Sequence, residues 1–133
     1  MSVEITIDAD RRRILSRFSG RLSREILQRY YDALYAHPRF RPDMSEIFDV
    51  SAVTELDLTA DEIRDFSATT SANTSKGHGV RVAVVAPTDL TFGLARLYEL
   101  SQVDTTNRIC VVRTMAEAEA WLEAPAEDAA ADG

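Results

Sequence analysis

The chain has 133 residues and a mass of 14.8 kDa, which favours one domain with enough interior to fold without a disulfide or metal staple. Its 22 acids outweigh 15 bases, giving a net charge of −7 that argues against nucleic acid as the main partner. One cysteine allows no internal disulfide, no apolar run approaches the roughly 20 residues of a membrane span, and Met1-Ser-Val-Glu4 does not read as a signal peptide, so a soluble cytoplasmic protein is expected.

Val3, Ile5 and Ile7 alternate with polar residues in the period of a strand. Asp8 to Arg11 is turn-like, and Arg13 to Ser19 reads as a second strand, making an antiparallel hairpin closed at Gly20. Ser23 then caps a helix whose staple is Leu22 and Leu27. Ile26, Leu27, Tyr30 and Leu34 form its apolar stripe, widened by Tyr31 and Tyr35, and Pro38 ends it. Glu46 to Val50 is a short strand running into a polar turn.

Thr59 and Glu62 form a capping box, with Leu58 and Ile63 as its staple, and the helix they open weakens through Ser67 to Ser75. Lys76-Gly-His-Gly79 is a loop. Val80 to Val85 is the apolar run of a strand buried on both faces. A helix starts at Thr88 or Asp89 and is expected to bury Leu90, Leu94, Leu97 and Tyr98. Ile109 to Val112 is the last strand, and Thr114 with Glu117 opens a final helix whose inner face is Ala118, Trp121 and Leu122. The acid- and alanine-rich stretch 123–133 is expected to be a disordered tail, leaving one domain over 3–122. The order predicts an α/β fold: an opening antiparallel hairpin, then a mostly parallel sheet with about four helices.

Charge is unevenly spread, with nine Arg against five acids in residues 1–42 and acids in large excess beyond them. Such a dipole suits an asymmetric partner or a second copy of the chain, and equally suits two solvated faces that differ.

Ligands of open α/β sheets sit beyond the carboxyl ends of the strands. That rule selects Asp49-Val-Ser51 with Asp57-Leu-Thr59, then Pro87-Thr88-Asp89, then Arg113-Thr114. Each leads into a helix N-terminus, where free amides favour an anion. Ser51, Thr59, Thr88 and Thr114, with Asp49 and Asp57 beside them, are therefore candidates for binding a phosphate or for carrying one; Thr and Asp are also the ordinary helix caps. His78 lies in a loop that enters a strand rather than a helix, His37 suits a helix C-terminus, and Cys110 sits within an apolar strand. With two His, one Cys and no ligand pair at metal spacing, no metal and no cofactor are expected. Phe92, about 160° from the Leu90/Leu94/Tyr98 face at about 100° per residue, and Tyr31 and Tyr35 at a stripe edge are candidates for an interaction surface.

Several segments resemble the STAS domain, and more closely the SpoIIAA-like group of small bacterial proteins, also described as STAS/SEC14-like. They are Phe18-Ser-Gly-Arg-Leu22, Phe48-Asp-Val-Ser51, Arg81 to Asp89, Phe92 to Glu99 and Glu117 to Leu122. In anti-sigma antagonists of that kind, a strand ending in Asp-Leu-Ser is followed by Asp-Ser-Ser-Gly, where a partner kinase phosphorylates a serine. Here the matching stretches are Asp49-Val-Ser51 and Asp57-Leu-Thr59-Ala60, so Thr59 falls at the modified position while Leu58 and Ala60 depart from the pattern. The resemblance implies a non-enzymatic regulator that binds a protein or itself. Its SEC14-like description implies the alternative, a carrier or sensor of a small apolar or anionic molecule held near Tyr31, Tyr35 and Phe66.

Overall fold

The computed structural model of the protein describes residues 2–73, 80–102 and 108–124. The loop around Lys76 and His78 and the tail from 125 lie outside these residues. Nine elements follow the chain: β1 (Ser2–Asp8), β2 (Arg13–Ser23), α1 (Arg24–Ala36), β3 (Ser45–Asp57), α2 (Ala60–Asn73), β4 (Arg81–Val85), α3 (Asp89–Leu100), β5 (Arg108–Val112) and α4 (Met115–Glu123). They build one five-stranded sheet in the order β1-β2-β3-β4-β5, antiparallel between β1 and β2 and parallel elsewhere.

The layering follows from the crossovers. Three right-handed βαβ connections step across the sheet in one direction, so α1, α2 and α3 all fall on one face. Alternation along the strands then sorts the side chains. Ile14, Phe18, Phe48 and Val50 meet those three helices, while Leu15, Ile47, Ala83, Val85 and Cys110 face the other way. After β5 no strand remains to join, and α4 is free to cover that second face with Ala118 and Trp121. It covers only the β3–β5 half. Over β1 the same face carries the exposed Glu4, Thr6 and Asp8, while Leu15 of β2 still packs at the edge of the α4-side core.

Several elements differ from the sequence expectation, each for an identifiable reason. Gly20 does not close the hairpin. The β1–β2 turn lies at Ala9–Arg12, and β2 runs on to Ser23 beside β3. Gly20, with φ of 78°, sits where the β2–β3 register slips, a left-handed position that favours glycine at a bulge. β3 does not end in a turn after Val50 but extends to Asp57, because Gly20 to Ser23 supply ladder partners to its polar half. α2 does not fade at Ser67. That serine is fully buried, its hydroxyl donates to the Tyr98 carbonyl at 2.7 Å, and the Gln102 amide donates back to the Ser67 carbonyl at 3.2 Å. Tertiary packing there outweighs weak intrinsic propensity.

On α3, Leu90 is 64% exposed rather than buried. The Thr88–Thr91 box fixes where the helix starts and turns Thr91 inward, so the inner stripe runs Thr91, Leu94, Ala95 and Tyr98. Phe92 does not point away from the core. It packs at the edge of the helix-side core, under the Arg113 guanidinium at 4.1 Å. Arg113 also bonds Asp89 at 3.0 Å and the Pro87 carbonyl at 3.2 Å, tying the start of α3 to the start of α4.

Candidate functional site

Between α1–α3 and the sheet lies a cavity of about 120 Å³. Its walls are mostly aliphatic and aromatic, with Leu34, Phe66 and Leu94 above and Phe48 and Val84 below. The aromatic side chains form a connected set. Phe18 meets Tyr30 edge-on at 5.0 Å, Tyr30 meets Tyr31 at 4.8 Å, Tyr31 meets Phe66 at 5.3 Å, and Phe66 meets Tyr98 at 6.0 Å. A branch runs from Tyr31 through Tyr35 to Phe40, leaving Tyr35 41% exposed at the rim. The extended β2–β3 arm closes one end with Leu22 and Leu56, paired residues of its ladder, and Leu58. Rings of this stiffness bridge between elements and leave space that flexible chains would fill.

Among the described residues, one charged side chain lines this apolar space: Glu46. It lies near the start of β3 on the same strand face as Phe48 and Val50, and it is 8% exposed. The Tyr30 hydroxyl donates to its Oε2. Ser16, fully buried on β2, has its hydroxyl 2.5 Å from that of Tyr30 and donates to it, since the phenol's one proton goes to Glu46. Burial pushes the Glu46 carboxyl up to about 7, with the Tyr30 hydrogen bond and the nearby Ser16 hydroxyl opposing the rise. Burial also raises the phenols of Tyr30, Tyr31 and Tyr35, so all three stay neutral. Sequence reading missed Glu46 by treating residues 46–50 as an ordinary strand. The signal was the alternation itself, which sets Glu46 on the face of Phe48 and Val50.

The candidates chosen from the strand ends do not converge on one site. Asp49 and Asp57 are separated by roughly 26 Å of strand at about 3.3 Å per residue, because β3 is continuous between them. Asp49 lies on the face opposite the cavity, buried, held by Arg17 at 3.3 Å and by the Ser51 amide at 2.9 Å. Ser51 is exposed within β3, and Asp57 pairs with Arg21. The three threonines cap helices. Thr59 accepts from the Glu62 amide at 3.1 Å while the Glu62 carboxylate accepts from the Thr59 amide at 3.0 Å. Thr114 and Glu117 repeat this arrangement, and Thr88 makes it with Thr91. At Thr59 and Thr114 the glutamate occupies the position an anion would take. Replacing Thr59 with Ala removes the hydroxyl that accepts from the Glu62 amide and is expected to cost about 1 kcal/mol in urea unfolding; an unchanged midpoint would mean that cap contributes nothing.

Among the described residues there is no group of three or more His, Cys, Asp or Glu that could hold a metal ion, and no helix long and apolar enough to cross a membrane. Cys110 faces α4 rather than the cavity.

Sheet order, helix placement and an interior space ringed by the three crossover helices define an α/β domain whose candidate site is its own core. No family model matches the sequence, and no curated protein matches it. The fold itself is SpoIIAA-like. It superposes on an uncharacterized protein from the DUF3478 family with a SpoIIAA-like fold, from Shewanella loihica PV-4. The TM-score is 0.52 at 19% sequence identity, over 91% of this chain and 92% of that one.

Proposed function

We propose that this SpoIIAA-like domain is a non-enzymatic binding module that holds one small apolar molecule between its helices and sheet, as a carrier or sensor. The cavity carries this reading, since close-packed interiors seldom leave a space larger than a water molecule. Its size limits the ligand. An apolar cavity of about 150 Å³ accommodates benzene, so about 120 Å³ suits one ring or a short alkyl chain. A two-chain lipid does not fit without the helices parting. Glu46 opposes an anionic ligand inside, leaving anions to the helix N-termini. The cavity presents no nucleophile beside a base, which favours binding over catalysis.

A protein partner or a second copy of the chain is the second reading, and the exposed Leu90 and Leu100 of α3 favour it. Ten residues place them roughly 80° apart around the helix and about 15 Å along it. They are two separate apolar residues rather than a patch, so this reading ranks behind the cavity.

Toluene at ten times its dissociation constant is expected to add about 1.4 kcal/mol, raising the melting temperature by roughly 5 °C. Val84, buried on β4 beneath the cavity, points straight into the space, so Val84→Phe fills it and abolishes the shift. A wild-type protein indifferent to toluene, or a variant that responds equally, contradicts the proposal.

A further inference from the structure

Glu46 is an odd residue to find in such a place. It is buried among aromatic rings and lines the cavity, and among the described residues no cation lines that space. The groups that face it are hydroxyls or apolar: Tyr30, Tyr31 and Tyr35 from α1, Tyr98 from α3, and Ser16 from β2. From α2 comes Phe66 and from β4 Val82, neither of which titrates. One hydroxyl donor, Tyr30, uses part of a carboxylate's capacity of about four lone-pair sites, so acceptor positions remain for something in the cavity. A side chain needed only to satisfy Tyr30 would not have to be ionisable. An amide would accept the same hydrogen bond without the cost of burying a charge.

We infer that the cavity's ligand is a small lipophilic amine, a single ring or short alkyl body bearing one ammonium group, which pairs with the Glu46 carboxylate. This rests on the binding reading above and names the chemical class of the ligand. Size, shape and charge point the same way. The volume suits a one-ring body, the faces of Tyr31, Phe66 and Tyr98 suit both an apolar ring and a cation, and Glu46 supplies the opposite charge. A carboxylate partner is opposed by repulsion above pH 7 and, at any pH, by the cost of burying its charge without a cation. A neutral hydrocarbon fills the space but leaves the carboxyl unpaired.

The pairing fixes a pH dependence. Glu46 is protonated below about pH 7 and charged above it. An alkylammonium stays charged across that range. Amine binding therefore strengthens as pH rises through 7, whereas hydrocarbon binding does not.

Calorimetric titration of the full chain with benzylamine, toluene and benzoate, at pH 5.5 and 8.5, tests the inference. Benzylamine is expected to bind at least tenfold more tightly at pH 8.5 than at 5.5, and at least tenfold more tightly than to Glu46→Gln. Toluene is expected to bind the wild type and Glu46→Gln alike, and benzoate to bind neither. Toluene binding with benzylamine no tighter at pH 8.5 overturns the amine assignment while leaving the cavity reading intact. Binding of neither compound overturns both. The pH arm uses only the wild-type chain, so the result does not depend on the variant folding.

Discussion

Truncating Trp121 to Ala is expected to lower the free energy of unfolding by about 3–5 kcal/mol, a large share of the 5–15 kcal/mol typical of a domain. The size of the effect follows from α4 being, among the described residues, the one helix on its face of the sheet. Trp121 is 8% exposed, and it packs with Ala118 against Ile47, Ala83 and Val85. The Arg81 guanidinium lies 5.8 Å from the centre of its ring. The same guanidinium donates to the carbonyls of Trp121 at 3.0 Å and Ala124 at 2.6 Å, placing a cation at the negative end of the helix. Without the indole, a helix this short has little left to hold it down. Cys110, which faces α4, then gains access to solvent. Its labelling by a thiol reagent is expected to quicken at least tenfold, the factor that about 1.4 kcal/mol provides. Unfolding within 1 kcal/mol of wild type, with labelling unchanged, would show that α4 does not seal that face.

The second large effect is electrostatic and runs against the usual behaviour of a carboxylate. In the unfolded chain Glu46 releases its proton near 4.5, whereas in the folded protein burial holds the proton until about pH 7. Between those values the native state binds more protons than the unfolded state, so stability falls as pH rises. The loss begins near pH 4.5, is complete above about pH 8, and is on the order of 3 kcal/mol. Glu46→Gln removes the charge and keeps an oxygen to accept from Tyr30. Urea unfolding from pH 5 to 8.5 is expected to show the wild type losing stability across this window, and the variant changing by less than about 1 kcal/mol. Parallel profiles would mean that Glu46 is hydrated rather than buried.

Much of the fold was legible because its signals are local. Ser23, Thr59 and Thr114 mark helix starts by chemistry contained within four residues, and all three cap helices in the structure. The apolar runs at Val82–Val85 and Ile109–Val112 became adjacent parallel strands. What the sequence hid depends on partners distant along the chain. Residues 51–57 are too polar to read as a strand alone, and they are one because Gly20–Ser23 lie beside them. Leu90 looked like core until the Thr88 cap fixed the rotation of α3. The cavity was foreseeable in location, since Tyr31, Tyr35 and Phe66 do line it, but not in chemistry. Strand alternation puts Glu46 on an inner face, but only the packed helices show that, among the described residues, no basic side chain lines the cavity beside it.

The proposed binding requires the space beneath α1, α2 and α3 to take up a small apolar molecule. The most direct measurement is a methyl-labelled NMR titration with toluene, reading intermolecular cross-peaks between the ligand and leucine methyl groups. Saturable binding is predicted, with cross-peaks to Leu34 and Leu94 in the cavity wall and none to the exposed Leu90 and Leu100. Cross-peaks to Leu90 or Leu100 alone, or no saturable shift up to the solubility of toluene, would contradict it.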